Sequence, residues 1–166
     1  CGTGTTALTF ALMGASVTLI DFNQKMLGFA KGLYQMYGCQ AEFINADCLH
    51  RPEDKLKGSF DLVISSGLLE HFTGNARQLC LKYHKDLLKT DGFALIMVPN
   101  FFCPWYQFVR FFRILTKTWE IDLEIPFSAQ ELNFISKKVG FRRYYIISSG
   151  DLLGDINYYA RGFLSA

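Results

Sequence analysis

The chain has 166 residues, half of them hydrophobic, and a mean hydropathy of +0.14, which suits one globular domain with a substantial core and excludes a disordered chain. Its formal net charge of +2 is too small to indicate a nucleic-acid-binding surface, so no nucleic-acid partner is expected. The five cysteines form no C-x-x-C pair, predict no metal site, and suit a protein of the reducing cytoplasm.

Short apolar runs alternate with helical patterns after an opening glycine-rich turn. β-Branched residues dominate the first of these runs, which favours a buried strand. The predicted strands are SVTLIDF (16–22), AEFINAD (41–47), FDLVISSG (60–67), FALIMVPN (93–100), RRYYIISS (142–149) and INYYARGFL (156–164).

Three helices are predicted between these strands. The first helix has Asn23 as its start signal and Gly38 as its stop, and the third has Ser128 and Gly140. The second, NARQLCLKYHKDLLKTDG (75–92), is predicted from its apolar pattern and ends at Asp91-Gly92. Glu131 lies three residues after Ser128 and predicts a capping box. His84 has lysines beside it in the second helix and is expected at the surface.

The alternation of strands and helices predicts an α/β fold with a Rossmann-like, doubly wound, mostly parallel sheet in three α/β/α layers. Ligands of such sheets bind at the carboxyl ends of the strands. The residues that follow each predicted strand are therefore the candidate site residues.

An aromatic-rich insertion at about 101–127 interrupts this rhythm and is expected to be partly helical. The sequence leaves three roles open for its aromatic side chains. They complete the core, they line an apolar substrate pocket, or they place residues 101–119 on a membrane surface. Arg110, Arg113 and Lys117 offer charge for an anionic group, such as a phosphate on a lipid carrier. Prolines and arginines within the segment argue against a transmembrane helix.

The opening turn GTGTTA fits the pattern G-x-G-x-x-G/A, and Asp21 lies at the right distance to accept hydrogen bonds from ribose hydroxyls. The N–H groups at the start of the helix that follows the turn suit an anionic group of the ligand. That anion is either a pyrophosphate, as in an NAD(P)-dependent oxidoreductase, or an amino-acid carboxylate. Asp47 ends the next strand, where an acceptor suits the exocyclic amine of adenine.

The stretch SSGLLEH places Ser65, Ser66 and Gly67 where the third predicted strand ends. His71 follows, and imidazole suits a general base at neutral pH. The alternative is that His71 only packs or caps the next helix. No cluster of histidines and acids has metal-ligand spacing, so no metal is expected.

The order of CGTG, Asp21, Asp47, FDLVISSGLLEHF (60–72) and LLKTDGFALIMVPN (87–100) resembles the class I S-adenosylmethionine (SAM) dependent methyltransferases. The nearest likeness is to their small-molecule group, which includes quinone-biosynthesis enzymes. The resemblance extends from Cys1 to about Phe141. It implies transfer of a methyl group from SAM to an oxygen, nitrogen or carbon of a small molecule, which is apolar or linked to a lipid or glycan.

The resemblance also implies which residues hold the cofactor. They are Cys1, Gly2, Gly4, Asp21, Phe22, Asp47, Cys48, Ser65, Ser66, Gly67 and Leu68. His71 is the candidate catalytic residue. The alternatives are an NAD(P)-dependent oxidoreductase and a catalytically silent subunit with the SAM-binding fold.

The first strand of this family would precede the glycine turn. The chain begins at the turn and without methionine, so a truncated sheet that lacks its first strand is expected. Residues 1–166 are predicted to form a single methyltransferase domain, with the aromatic insertion on the substrate side.

Overall fold

The computed structural model describes residues 1–119, 123–148 and 159–165. The chain divides into two compact units, Cys1–Pro52 and Glu53–Ala166. Each unit is an α/β structure, as the alternating sequence pattern predicts. That the whole chain forms a single domain stays a prediction.

The first unit has two helices and a two-stranded parallel sheet. Its elements are α1 (Thr5–Leu12), β1 (Thr18–Asp21), α2 (Gln24–Met36) and β2 (Glu42–Asn45). The register sets Asp21 opposite Asn45 at the carboxyl end of both strands. Both helices pack on the sheet through a small core made of Leu8, Leu19, Leu27, Ala30 and Tyr34.

Helix α2 begins as its sequence predicts. The Asn23 side chain accepts hydrogen bonds from the amides of Lys25 and Met26, which otherwise have no partner in the first helical turn. Gly38 follows the helix with a φ of 65°, a left-handed conformation that glycine adopts at little cost.

The described residues of the second unit form a four-stranded mixed sheet and three α-helices. Its elements are β3 (Phe60–Ser66), a 3-10 turn (Leu69–His71), α3 (Asn75–Leu87), β4 (Leu88–Pro99), α4 (Pro104–Leu115), α5 (Ala129–Val139), β5 (Arg143–Ser148) and β6 (Tyr159–Ser165). The strand order is β3-β4-β6-β5. Strands β3 and β4 are parallel, whereas β6 pairs antiparallel with both of its neighbours.

Helix α3 is shorter than the sequence predicts, because it ends at Leu87 and not at Gly92. Leu88 is already extended and pairs with Phe60, and the register between β3 and β4 is irregular up to Phe93. A Cβ at Gly92 would lie 2.8 Å from the carbonyl oxygen of Phe60. Gly92 therefore permits a close approach of two strands and does not terminate the helix.

His84 is also placed differently from the expectation, since it is buried. Its Nδ1 lies 2.7 Å from the carbonyl oxygen of Cys80, one turn earlier in α3. Burial lowers the pKa of His84, so the ring is held neutral within the unit.

The aromatic insertion is partly helical, as predicted, and forms α4. No residue of α4 is buried. None of the helices in the described parts of the chain has the length and apolar character needed to cross a membrane.

Candidate active site

The glycine turn precedes α1 and is closed by a hydrogen bond from the amide of Gly4 to the carbonyl of Cys1, at 3.1 Å. Gly2 and Gly4 both have positive φ, 54° and 75°. A Cβ at Gly4 would lie 3.1 Å from the Cβ of Ala30, whereas a Cβ at Gly2 would meet nothing within 4 Å. Gly4 therefore lets α1 pack closely, and Gly2 leaves open backbone surface beside the turn.

No side chain caps the start of α1. The amides of its first turn are thus available to an anionic group, with the positive end of the helix dipole behind them. An open glycine backbone next to free helix amides suits the close approach of a cofactor with a carboxylate.

Asp21 lies at the end of β1 and faces this turn. Its Oδ2 accepts a hydrogen bond from the amino group of Cys1 at 2.5 Å and from the amide of Gly2 at 3.2 Å. Its Oδ1 accepts from the amide of Asn23 at 2.9 Å. Burial alone would raise the pKa of Asp21, but the hydrogen bonds from the amides of Asn23 and Gly2 lower it, so the carboxylate is ionised at neutral pH.

The end of β2 lies beside Asp21. The side-chain amide of Asn45 donates to the carbonyls of Asp21 at 3.0 Å and Phe22 at 2.8 Å, which fixes the backbone after β1. Phe22 keeps 73% of its surface exposed and offers a flat apolar face. Asp47 accepts the amide of Leu49 at 2.9 Å and lies 3.2 Å from Nδ1 of His50.

The structure therefore brings part of the predicted site together within the first unit. Cys1, Gly2 and Asp21 are joined by hydrogen bonds, Gly4 closes the same turn, and Asn45 links the ends of the two strands. Asp47 and the half-buried Cys48 follow β2 in the adjoining loop. Sequence reasoning missed Asn45, although a polar residue near the end of the predicted strand at 41–47 is a usable signal.

The predicted residues Ser65, Ser66, Gly67 and Leu68 belong to the second unit. Ser65 is buried, and its hydroxyl has no partner among the described residues. Ser66 is exposed at the last position of β3. Gly67 has a φ of 67° and donates its amide to the carbonyl of Met97 at 3.2 Å, which joins the ends of β3 and β4.

Residues 123–127, which we call the strap, cross the carboxyl ends of β3 and β4. The amide of Ile125 donates to the carbonyl of Glu70 at 2.9 Å, and the amide of Phe127 donates to the carbonyl of Pro99 at 2.9 Å. Nδ1 of His71 lies 2.6 Å from the carbonyl of Leu123. The strap therefore fixes the loop that follows Ser66 from one side.

The bond to Leu123 determines the tautomer of His71. A carbonyl oxygen only accepts hydrogen bonds, so Nδ1 must carry the proton. In the neutral ring Nε2 then has the free lone pair. His71 is also exposed, so this nitrogen is accessible to an acceptor molecule.

Two carboxyl groups are buried between the strap and the turn after β3. Glu70 is 3% exposed, and its Oε2 has no hydrogen-bond partner among the described residues. Burial raises the pKa of Glu70, and the nearby charge of Glu124 raises it further. The hydroxyl of Tyr106 donates to Oε1 of Glu124. Burial, together with this carboxylate, raises the pKa of Tyr106, so its hydroxyl stays protonated.

Arg77 is a buried residue that sequence reasoning missed. Its Nε donates to the carbonyl of Phe72 at 2.6 Å, its Nη1 pairs with Glu131 at 2.5 Å, and its Nη2 donates to the carbonyl of Ile125. Its guanidinium lies 3.8 Å from the centre of the Phe127 ring. A cation in the first turn of a helix is unfavourable beside the positive end of the helix dipole. The position of Arg77 at the start of the predicted helix could therefore have indicated that its guanidinium has acceptor partners elsewhere.

A cavity of about 380 Å³ lies elsewhere in the second unit, where β3 and β4 begin. Lys85 and Lys89 contribute to its lining, but Lys85 donates to the carbonyl of Val139 at 3.1 Å and Lys89 pairs with Asp61 at 2.8 Å. These cations already have partners, and the cavity is at the edge opposite the carboxyl ends. We therefore do not assign it as the active site.

The profile of a family described as a methyltransferase domain matches residues 1–92, more than half of the chain. No curated protein sequence matches the chain significantly.

Solved structures resemble the chain over nearly its whole length. A SAM-dependent methyltransferase from Methanosarcina mazei is 20% identical with a TM-score of 0.73, and the match covers 99% of this chain and 87% of that one. Magnesium protoporphyrin IX methyltransferase from Synechocystis, with bound S-adenosylhomocysteine, is 19% identical with a TM-score of 0.71, covering 99% and 70%. A methyltransferase-like protein from Bacillus halodurans is 15% identical with a TM-score of 0.70, covering 99% and 87%.

These likenesses agree with the α/β Rossmann-like fold that the sequence predicts, and the profile spans the glycine turn, Asp21 and the end of β3. The chain therefore belongs to the methyltransferase domain family.

Proposed function

We propose that the chain transfers a methyl group from SAM to a nucleophilic oxygen, nitrogen or carbon of a small-molecule acceptor. The observation that carries the proposal is the ionised Asp21 carboxylate, set by hydrogen bonds against an open glycine turn. When bound, SAM supplies a methyl group already activated by the positive sulfur. The protein has to position the two reactants and exclude water.

Asp21 is the proposed ribose ligand. A carboxylate accepts about four hydrogen bonds in all, so it can accept the ribose hydroxyls in place of, or beside, the donors it now has. Phe22 offers its exposed ring to the adenine, and Asp47 accepts from the adenine amine. Gly2, Gly4 and the free amides of α1 face the carboxylate end of the cofactor.

The remaining proposed cofactor contacts are the backbone of Cys1 and Cys48 and the strand end formed by Ser65, Ser66, Gly67 and Leu68. Gly67 supports this role because its positive φ turns the chain at the point where β3 ends. The turn exposes backbone without a side chain in the way.

His71 is the proposed general base for an acceptor that carries a hydroxyl. Its Nδ1–H is held by the Leu123 carbonyl, which leaves Nε2 to accept the proton. We expect nitrogen NMR of the chain labelled with ¹⁵N-histidine to show that the neutral form of the His71 ring carries its proton on Nδ1. A ring protonated at Nε2 would contradict the arrangement, and His71→Gln identifies the signal.

The acceptor is proposed to be apolar, or linked to a lipid or glycan. Support comes from α4, which is rich in aromatic side chains. Its Tyr106 and Arg110 contact Glu124 of the strap, and the strap also contacts His71, so this aromatic helix is attached to the segment that holds the proposed general base. One similar structure is, by name, a magnesium protoporphyrin IX methyltransferase, an enzyme with a small-molecule acceptor.

The decisive experiment is a calorimetric titration of the chain with S-adenosylhomocysteine and, separately, with NAD. We expect binding of the first and none of the second. Asp21→Asn should weaken S-adenosylhomocysteine binding about 100-fold, because a hydrogen bond to a charged group contributes about 1.5–3 kcal/mol and about 1.4 kcal/mol is tenfold in affinity.

The matched control is Glu42→Gln. Glu42 is an exposed acid at the opposite end of the same two-stranded sheet, so its removal should leave the affinity unchanged. Binding of NAD alone would favour an NAD(P)-dependent oxidoreductase instead. Binding of neither compound would favour a catalytically silent subunit with this fold.

A further inference from the structure

Glu70 is a buried acid to which the proposed methyl transfer assigns no role. It belongs to the 3-10 turn after β3, and its Oε2 has no hydrogen-bond partner among the described residues. A carboxylate in such surroundings is stable only with a compensating positive charge. The groups that face Glu70 therefore decide whether the chain supplies that charge.

The titratable groups that face Glu70 come from three other elements and from its own turn. They are Glu124 of the strap, Tyr106 of α4 and Arg77 of α3, with His71 as the next residue in the turn. Glu124 is a second acid, and Tyr106 stays a neutral hydroxyl. His71 adds a positive charge only when its ring is protonated.

The two arginines of this region already serve other groups. Nη1 of Arg77 pairs with Glu131 at 2.5 Å, and Nη2 of Arg110 donates to the carbonyl of Glu124 at 3.0 Å. Two arginines and two acids thus balance each other while Glu70 is protonated. When Glu70 ionises, the region gains one negative charge that no further cation among these groups offsets.

The carboxyl of Glu70 lies against the strand end that is proposed to hold the cofactor. A Cβ added at Gly67 would be 3.6 Å from Oε1 of Glu70. Because Gly67 has no side chain, the carboxyl is close to any group that binds at this turn. A positive charge bound there would act on Glu70 across a thin layer of protein, where charges interact more strongly than in water.

The proposed function indicates which part of the cofactor would come to this turn. His71 is the proposed base for the proton of the acceptor, so the methyl group and the sulfur that carries it would have to lie near His71. This sulfur is positively charged in SAM and neutral in S-adenosylhomocysteine. Glu70, the residue before His71, is thus suited to sense the difference.

We propose that Glu70 recognises the positive sulfur of SAM: its carboxyl ionises when the cation binds and is protonated again when the charge is gone. The inference rests on the proposed function. Glu70 acts across the Gly67 turn and does not touch the reacting atoms, so it is a positioning residue. Burial raises the pKa of Glu70 in the free chain, which agrees with a carboxyl that is neutral before the cation binds.

The protons balance over one turnover with a hydroxyl acceptor. Glu70 releases one proton to solvent on binding, and His71 takes the proton of the acceptor hydroxyl as the methyl group moves from sulfur to oxygen. The sulfur is then neutral, so Glu70 takes up one proton, and His71 later returns its proton to solvent. The net release is the single proton that the acceptor loses.

The test compares the binding of SAM and S-adenosylhomocysteine by calorimetry, without an acceptor, in phosphate and in Tris. These buffers differ in ionisation enthalpy, so the difference in heat counts the protons released. We expect SAM to release up to one proton per complex below the folded pKa of Glu70, and S-adenosylhomocysteine to release none. The ratio of the two affinities should accordingly fall as pH falls through that pKa.

Three variants assign the effect to Glu70. Glu70→Gln should lower the preference for SAM over S-adenosylhomocysteine at least about tenfold at pH 7, remove the proton release and leave the affinity for S-adenosylhomocysteine unchanged. Glu53→Gln, at an exposed acid of the same unit, should behave like the wild type. Protonated His71 would also repel the cation, so His71→Gln should keep the pH dependence that Glu70→Gln removes.

Several results would overturn the inference. They are a preference for SAM that is the same in Glu70→Gln and the wild type, binding of SAM without proton release, and a pH dependence that disappears in His71→Gln alone. Each of these leaves the proposed function standing, because both compounds still bind. Binding of neither compound would overturn both. The proton release and the His71→Gln result decide the question even if Glu70→Gln does not fold.

Discussion

Glu70 is buried to 3% exposure, and its Oε2 has no partner among the described residues. A buried carboxylate without compensation is costly, so the group favours its neutral form. This is why burial raises the pKa of Glu70 above the ordinary value of 4.5. In the neutral form the carboxyl O–H is a donor beside the turn at Gly67. The carboxyl lies close to this turn, because a Cβ added at Gly67 would be 3.6 Å from Oε1 of Glu70.

The raised pKa of Glu70 predicts how stability depends on pH. The contribution of a carboxyl whose pKa is raised in the folded state is fully present below its unfolded pKa, near 4.5, and is lost as pH rises through the folded value. Glu70→Gln stays neutral at every pH. The variant should therefore unfold at a higher temperature than the wild type at pH 7 and at about the same temperature at pH 4.

Thermal unfolding followed by circular dichroism at both pH values checks this expectation. Glu42→Gln replaces an exposed acid and should behave like the wild type at both. A Glu70→Gln variant less stable than the wild type at pH 7 would mean that the ionised carboxylate has a stabilising partner.

At the scale of elements, α1 depends on two glycines for different reasons. Gly4 brings the start of α1 against α2, since a Cβ there would lie 3.1 Å from Ala30, 3.3 Å from Leu19 and 3.3 Å from Tyr34. Gly2 has open space in the same position. One glycine serves packing, and the other keeps backbone surface free for a ligand.

The variants Gly4→Ala and Gly2→Ala separate these two roles. Both place alanine at positive φ, which costs about 1–2 kcal/mol. Gly4→Ala adds overpacking of about 1–3 kcal/mol and should lower the melting temperature clearly more than Gly2→Ala. Gly2→Ala should instead weaken S-adenosylhomocysteine binding at least tenfold, measured by calorimetry, because its methyl group occupies the ligand side.

Equal losses of stability in the two variants would contradict this division. So would a Gly2→Ala variant that binds S-adenosylhomocysteine normally. In the second case the turn would serve only to pack the start of α1 against β1 and α2, without contact to the cofactor.

Signals within a few residues predicted the element starts well, but not every end. Asn23 and Ser128 cap their helices as their residue types predict, and Ser128 accepts the amide of Glu131 at 3.1 Å. The capping box is only half formed, because the Glu131 side chain pairs with Arg77. The early end of α3 was not predicted, because the pairing of Leu88 with β3 outweighs the helical pattern. This pairing is a tertiary interaction, and the local sequence carries no signal for it.

At the scale of the whole molecule, the sequence again predicts what local signals determine and does not predict what tertiary contacts determine. The alternating pattern predicts α/β units, and the order of Gly2, Asp21 and Asp47 predicts which strand ends matter. It does not predict that β6 lies between β4 and β5, because position in a sheet is a tertiary property. It also does not predict the strap, whose contacts to Glu70 and His71 join residues about fifty positions apart.

The position of β6 has a consequence for how the protein is made. Residues 159–165 are the last strand that the structure describes, yet they pair on one side with β4 and on the other with β5. During translation, β4 leaves the ribosome some sixty residues before its partner and presents an open edge that other chains can join. The sheet of the second unit is therefore completed only when Ser165 has emerged, and a pause in synthesis before that point would expose it to aggregation.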